Sequence, residues 1–182
     1  NGFRQLTNSV RPVTKPEDLK GLKIRVPGSA VYMSTFKALG ANSTAMSWSE
    51  VFTAIQQGTI DGQENGCSIT KSAKMDEIQK YMTIWNYSYE NDLFVANTKI
   101  WESLEENTRQ LIQECAAEAC DWGRDQLEAD EAALIQGFRD AGMQVDELTE
   151  EQLSAFQAAV SDVIEEFKGV YGAEACAAFG IH

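Results

Sequence analysis

One short predicted strand, residues 22–26, constrains the fold of this 182-residue chain more than any other stretch. Its apolar residues alternate with Lys23 and Arg25, a period of two that is typical of a strand with one buried face. Pro27 cannot extend a hydrogen-bonded ladder, so Arg25 should lie close to the carboxyl end of the strand. Because open α/β sheets bind ligands just outside that end, Arg25 is a candidate partner for a carboxylate. The competing interpretation is an ordinary surface arginine, and for a single strand taken alone that interpretation is favoured.

Short predicted strands and helices alternate through the first half of the chain, which favours an α/β sheet. Ser29 is a predicted helix N-cap, and Ser47 with Glu50 has the sequence of a capping box that opens the next helix. Residues 59–62 are predicted to form a short strand and a tight turn, which leads into a turn at residues 63–66. Further strands are predicted at residues 42–46, 81–89 and 92–97.

Helical spacing dominates the second half of the chain. Residues 98–141 contain no proline, and their apolar stripes predict a short helix at 98–104 and then a very long one. The apolar face shifts near residues 128–131, so the long helix either rotates its buried face there or breaks. A short strand at residues 143–145 should follow. A second capping box, Thr149 with Gln152, opens a helix through Phe167, and residues 173–179 form a final helical turn.

Composition excludes several classes of partner and site. A net charge of −13 argues against nucleic acid and anionic membranes as partners, and no apolar stretch is long enough to insert into a bilayer. Cys67, Cys115, Cys120 and Cys176 have no metal-ligand spacing and a single histidine, His182, so no metal site is predicted. Buried free thiols are the favoured interpretation of these cysteines. No cofactor is predicted either.

Seven stretches, in order and with plausible spacing, resemble the solute-binding proteins of tripartite ATP-independent periplasmic (TRAP) transporters, of the dicarboxylate-binding type. The most specific are Arg-Val-Pro at residues 25–27 and Asp-Gly-Gln-Glu-Asn at residues 61–65. The matching stretches are residues 2–5, 16–27, 39–41, 49–52, 57–65, 77–81 and 142–145. Together these segments extend through most of the chain.

The resemblance implies two α/β lobes, joined by crossing strands and a long helix, with the ligand enclosed between them. This chain would be the second lobe of that periplasmic-binding-protein-like fold, with a long C-terminal helical region, and hence a C-terminal fragment of a larger protein. Residues 1–90 would form the ligand-binding α/β lobe. Residues 91–145 would return to the first lobe and supply the long connecting helix, and residues 146–182 would form a helical tail.

The resemblance also implies a set of ligand-binding residues. Arg25 would be the principal partner of the ligand carboxylate, and Asn65 would support it with an amide hydrogen bond. Trp48 would line the pocket, and Arg4 would make a second ligand contact. One residue departs from the family pattern: Gly66 follows Asn65 where a proline is usual, which loosens the predicted turn around Asn65.

The function implied by the resemblance is capture of a small organic acid through its carboxylate, without catalysis. The location would be periplasmic or otherwise extracytoplasmic, and the membrane subunits of the transporter would be the partners. Two alternatives stay open. One is a thiol-dependent hydrolase with Cys67 as nucleophile, and the other is a non-catalytic helical interaction module built on residues 98–182.

Overall fold

A mixed β-sheet forms the centre of the fold in the computed structural model, which describes residues 2–178 and 180. Its strands are β1 Gly2–Asn8, β2 Lys23–Val26, β3 Asn42–Ala45, β4 Gly62–Gly66, β5 Tyr81–Ile84, β6 Tyr89–Glu90 and β7 Gln144–Glu147. The α-helices are α1 Ala30–Ala38, α2 Trp48–Gln56, α3 Cys67–Ser72, α4 Thr98–Ser103, α5 Glu106–Asp140, α6 Glu150–Ala159 and α7 Ser161–Ala178. The predicted α/β class is therefore confirmed.

The sheet order is β3-β2-β4-β1-β5-β7, and β6 pairs with the start of β1. Strands β2, β3 and β4 are mutually parallel, whereas β1 runs antiparallel to its neighbours β4 and β5. The amino end of β1 therefore lies at the same edge of the sheet as the carboxyl ends of β2 and β4. Arg4, Arg25 and Asn65 all belong to this edge.

Two apolar layers cover the sheet on opposite faces. On one face, Leu6 and Ile24 from the strands pack with Phe36 of α1 and Phe156 of α6 in a single buried cluster. The other face carries α2, whose buried residues pack in a separate cluster around Val51. Because side chains alternate between faces along a strand, neighbouring residues of β2 and β4 meet different surroundings.

Several local predictions from the sequence are corrected. Ser29 and Ser47 occupy the N-cap positions of α1 and α2, but neither side chain accepts a hydrogen bond from its helix, so the capping box of Ser47 with Glu50 does not form. Ser47 and Glu50 are both exposed, and water can satisfy the open N–H groups at such a helix end. The capping box of Thr149 with Gln152 is confirmed.

Three strand predictions are wrong in position or extent. Residues 63–66 form most of the strand β4 rather than a turn, and residues 59–61 precede it without strand structure. Within the described chain, residues 92–97 form no strand, so the strand predicted there is absent. The predicted strand at 81–89 is divided into β5 and β6, because Asn86 adopts a left-handed conformation with φ 47°.

The helical half agrees more closely with its predictions. The long helix α5 is unbroken over 35 residues, and the short helix predicted at 98–104 is α4. The helix predicted after Thr149 is interrupted at Val160, which separates α6 from α7. The final predicted turn is the end of α7, beyond a non-helical Gly172, and its last residue, Phe179, lies outside the described residues. The three predicted domain boundaries stay predictions.

None of the helices in the described chain is both long and apolar enough to span a bilayer.

Substitution of Gly62 should test the close contact between the two central strands. A Cβ atom at this position would lie 2.2 Å from the carbonyl oxygen of Thr7 and 2.8 Å from the Cβ of Asn8. Because backbone atoms cannot move aside cheaply, Gly62→Ala should lower the free energy of unfolding by about 3 kcal/mol in urea denaturation. Gly28→Ala is the control, since open space surrounds that position, and it should change stability by less than about 0.5 kcal/mol. Equal stability of the two variants would contradict the assigned strand contact.

Candidate functional site

The candidate site lies where β2 and β4 end side by side. Arg25 is paired with Gln63 in the parallel ladder, so their side chains project from the same face of the sheet. Asn65 lies two residues farther along β4 and therefore on that face as well. The fold thus places Arg25 and Asn65 on adjacent strands as diagonal neighbours.

Arg25 is held by a carbonyl group and an aromatic ring. Its Nε and Nη2 atoms donate to the Met46 carbonyl oxygen at 2.9 and 2.8 Å, and its guanidinium carbon lies 5.4 Å from the centre of the Trp48 ring. Arg25 is only 6% exposed. Of its five N–H groups, the two on Nη1 and one on Nη2 have no hydrogen-bond partner in the part of the chain that the structure describes. That free edge has the geometry for two parallel hydrogen bonds to a carboxylate.

Burial and neighbouring charges act in different directions on the pKa of Arg25, and the net effect lowers it. Burial lowers the pKa of its guanidinium, and the positive charge of Arg4 adds to this effect. The negative charges of Glu64 and Glu90 act in the opposite direction. An arginine starts from so high a pKa that it stays protonated at neutral pH. Arg25 is therefore a mostly buried cation with unused donors.

Asn65 adds a neutral donor to the same face. Its Oδ1 atom accepts a hydrogen bond from the Gly66 backbone N–H at 2.9 Å, which fixes the orientation of the side-chain amide. Among the described residues, the Nδ2 group has no partner. Gly66 belongs to the strand ladder opposite Arg4, so the loosened turn predicted at this position is not present. Asn65 and Arg25 both offer hydrogen-bond donors here.

Trp48 begins helix α2 and contacts both the site and the core. Its ring packs beside the guanidinium of Arg25 and, on the protein side, against the cluster that contains Val51 and Ile55. Trp48 is partly buried. It is therefore well placed to hold the orientation of Arg25, through a cation–π contact worth about 1 kcal/mol.

Arg4 lies on the opposite face of the sheet and is already paired. Its Nε and Nη2 atoms donate to the Glu64 carboxylate, its Nη1 atom donates to the Glu90 carboxylate, and Nη2 also reaches the Glu64 carbonyl at 2.9 Å. Burial alone would lower the pKa of Arg4. Hydrogen bonding and charge from Glu64, with smaller contributions from Tyr87 and Glu90, raise that pKa above its ordinary value. Arg4 is thus a fully buried structural cation, and its predicted ligand contact stays a prediction.

Three further residues complete this network. From the sequence, Tyr87 is a possible pocket residue for which core packing is the favoured interpretation, whereas Glu64 and Glu90 are not candidates. Tyr87 donates its hydroxyl to Glu64, and Glu90 pairs with Arg4 from strand β6. Burial and the charge of Glu64 raise the pKa of Tyr87 well above its ordinary value, so its hydroxyl stays protonated and donates. Glu64 lies inside the Gln-Glu-Asn motif, which was the only available signal. The part that Glu90 takes in the network becomes visible only when β6 is paired with β1.

Cys67, the nucleophile of the hydrolase alternative, follows β4 directly. It is buried and lines a cavity of about 360 Å³ between β1, α3 and α5. Burial, with a smaller effect from Glu131, raises the pKa of its thiol to about 12. A nucleophilic cysteine requires a lowered pKa, so these surroundings do not favour catalysis. Within the described ranges, no group of three or more histidine, cysteine or acidic residues is positioned to hold a metal ion.

The remaining cysteines correct one prediction. Cys176 is buried, as is Cys67, but Cys115 and Cys120 are exposed on helix α5. The prediction of buried free thiols is therefore wrong for two of the four residues. The physical reason is that the first half of α5 has little packed against it in the described chain.

Comparison with known proteins identifies relatives over nearly the whole chain. Residues 1–169 match the family described as bacterial extracellular solute-binding protein, family 7. The C4-dicarboxylate-binding periplasmic protein of Rhodobacter capsulatus is 34% identical, and the match covers 98% of this chain and 54% of that protein.

Two solved structures show the same fold. A TRAP periplasmic solute-binding protein from Ralstonia eutropha with bound (S)-2-acetolactate has a TM-score of 0.92 and 38% identity, covering 94% of this chain and 56% of that one. Another, from Polaromonas, bound to D-erythronate, has a TM-score of 0.92 and 35% identity, covering 98% of this chain and 58% of that one. The chain spans about half the length of the curated relatives it matches. The predicted resemblance is confirmed, and the coverage is consistent with one lobe.

Thiol labelling should separate the cysteines by burial. With a pKa of about 12, only about one Cys67 thiol in ten thousand is ionised at pH 8. Iodoacetamide at pH 8, followed by peptide mass spectrometry, should therefore modify Cys115 and Cys120 at least about a hundredfold faster than Cys67. Denatured protein serves as the control, in which all four should react at similar rates. Preferential labelling of Cys67 in the folded protein would revive the hydrolase alternative.

Substitution of Arg4 should show how much the free energy of unfolding falls when the buried Glu64 carboxylate has lost this cation. Burial raises the pKa of Glu64, and Arg4 is the main group that opposes this effect. Arg4→Met should therefore lower the free energy of unfolding by about 4 kcal/mol at pH 7, because it leaves Glu64 without its cation. The double variant Arg4→Met with Glu64→Gln should recover about half of that loss. Asp121→Asn, which breaks an exposed pair with Arg124, should cost less than about 1 kcal/mol. A loss below about 1 kcal/mol for Arg4→Met would contradict the buried pair.

Proposed function

This chain belongs to family 7 of the bacterial extracellular solute-binding proteins, and we propose that it forms the carboxylate-binding half of one. The complete protein would capture a small organic acid outside the cytoplasm and deliver it to the membrane subunits of a TRAP-type secondary transporter. No catalytic step is assigned to it. The relatives are solute-binding proteins rather than enzymes, which supports this view.

The observation that carries the proposal is the free edge of the Arg25 guanidinium. The Met46 carbonyl oxygen and the Trp48 ring hold one edge and one face of the group, and three N–H groups stay available. Asn65 offers its amide N–H groups on the same face of the sheet. Donors without acceptors suit a carboxylate and disfavour a cation, and a pre-oriented arginine loses little entropy on binding.

The relatives support an organic acid as ligand. The Ralstonia eutropha protein binds (S)-2-acetolactate and the Polaromonas protein binds D-erythronate, both small acids with a carboxylate and further oxygen groups. We extend to this chain only the shared chemistry, a carboxylate on a small polar molecule. The residues that contact the parts of the ligand other than its carboxylate would lie partly in the half of the protein that this chain does not contain.

The proposed division of the chain follows from exposure. Residues 1–90 contain six of the seven strands and would form the ligand-binding lobe, and residues 146–182 would pack against it as a tail. Between them, Leu93, Phe94 and Val95 are 77–82% exposed, and Leu111 and Trp122 of α5 are also exposed. We propose that residues 91–145 lie against the first lobe of the complete protein. Ligand would then favour the closed arrangement of the two lobes through contacts with both.

Calorimetric titration of the complete protein should test the role of Arg25. A panel of small organic acids that includes D-erythronate and 2-acetolactate would first identify a ligand. Arg25→Lys keeps the charge but removes the planar pair of donors, so affinity for that ligand should fall at least about tenfold. Arg11→Lys is the matched control, since Arg11 donates to the backbone carbonyls of Asp18 and Lys20, outside the site. Undiminished affinity in the Arg25 variant would contradict the role proposed for this residue.

A further inference from the structure

We propose that this half of the site offers a single cation without a carboxylate partner of its own, Arg25, and therefore selects acids with one carboxylate over dicarboxylates. The inference rests on the proposed function and concerns the substrate class of the same site. The observation that supports the inference is that the two buried arginines, Arg4 and Arg25, are paired in different ways.

Arg25 supplies the available charge. No carboxylate of the described chain lies within ion-pair distance of its guanidinium, and its only polar partner there is the Met46 carbonyl oxygen. A carbonyl group satisfies hydrogen bonds without cancelling the charge. A ligand carboxylate at the free edge of Arg25 therefore meets a full positive charge in partly buried surroundings, where electrostatic attraction is stronger than in water.

Arg4 is close enough to affect Arg25 but is already compensated. Its Nε and Nη2 atoms donate hydrogen bonds to the Glu64 carboxylate, and its Nη1 atom donates to the Glu90 carboxylate. With the bond to the Glu64 carbonyl, four of the five Arg4 N–H groups are used. The ring of Tyr32 lies 5.4 Å from its guanidinium carbon and covers a face of the group. Arg4 has neither the charge nor the open geometry for a second ligand carboxylate.

The charges around the site therefore sum to zero before ligand binds. Arg4 and Arg25 contribute two positive charges, and Glu64 and Glu90 contribute two negative ones. The first carboxylate of a ligand pairs with Arg25. A second carboxylate would enter the field of Glu64 and Glu90, and neither arginine of the described site could pair with it. An unpaired charge removed from water is costly. Hydroxyl or carbonyl groups in its place carry no such cost.

Glu90 is the more exposed of the two carboxylates that pair with Arg4. Its side chain is 29% exposed, whereas that of Glu64 is fully buried and anchors Arg4 across the sheet. Neutralising Glu90 removes one negative charge and releases the Nη1 atom of Arg4. The preference between the two ligand classes should then move toward the dicarboxylate.

The test is calorimetric titration of the complete protein with acid pairs that differ by one charge. Succinamate against succinate and D-galactonate against D-galactarate are such pairs, each differing in whether a second carboxylate is present. The wild-type protein should bind the monocarboxylate of whichever pair it accepts at least about tenfold more tightly. Equal or tighter binding of the dicarboxylate overturns this inference while leaving organic-acid binding intact. If neither pair nor any other organic acid binds, the proposed function fails as well.

Two variants sharpen the result. Glu90→Gln should reduce the wild-type preference for the monocarboxylate by about tenfold, mainly through tighter binding of the dicarboxylate. Glu147→Gln is the matched control, because Glu147 pairs with Arg139 at an exposed position away from the site, and it should leave the ratio unchanged. If the ratio of monocarboxylate to dicarboxylate affinity is unchanged in Glu90→Gln, or changes equally in both variants, the proposed role of the Glu90 charge in this preference is contradicted.

Discussion

The buried ion pair between Arg4 and Glu64 is the interaction on which the rest of the site depends. It joins β1 to β4 at the edge where the ligand-facing residues meet, and each partner keeps the other charged in surroundings that would otherwise favour neutral groups. Removal of Arg4 would leave the buried Glu64 carboxylate without its cation, and removal of Glu64 would leave Arg4 with Glu90 as its remaining ion-pair partner. The pair also compensates Arg4, so Arg25 remains the cation available to a ligand.

The pairing of β1 with β4 explains how one edge gathers these residues from distant parts of the sequence. Since β1 runs antiparallel to β4, its first residues lie beside the last residues of β4, and the parallel strand β2 ends next to them. Alternation of side chains then separates two functions. Arg25 and Asn65 share one face with free donors, while Arg4 and Glu64 form a closed network on the other. A shift of one residue in either register would exchange these faces.

The elements with regular patterns could be predicted, and those defined by tertiary contacts could not. Alternation revealed β2, and the apolar period revealed α5, because each pattern is local. The polar residues of β4 have no strand pattern, and only pairing on both sides buries them as a strand. The motif that contains Asn65 is recognisable by its residues, yet its backbone forms a strand and not the predicted turn. Tyr87 and Glu90 join the network through long-range pairing, for which the sequence carries no local signal.

The central claim is that Arg25 holds the carboxylate of a small acid with the edge that the protein leaves free. A crystal structure of the complete protein with a bound organic acid would test it most directly. The account predicts two carboxylate oxygens at about 2.7–2.9 Å from Nη1 and Nη2 of Arg25, with the Met46 contact retained and Arg4 still paired with Glu64. A ligand carboxylate bound elsewhere, with the free edge of Arg25 facing only solvent, would contradict it.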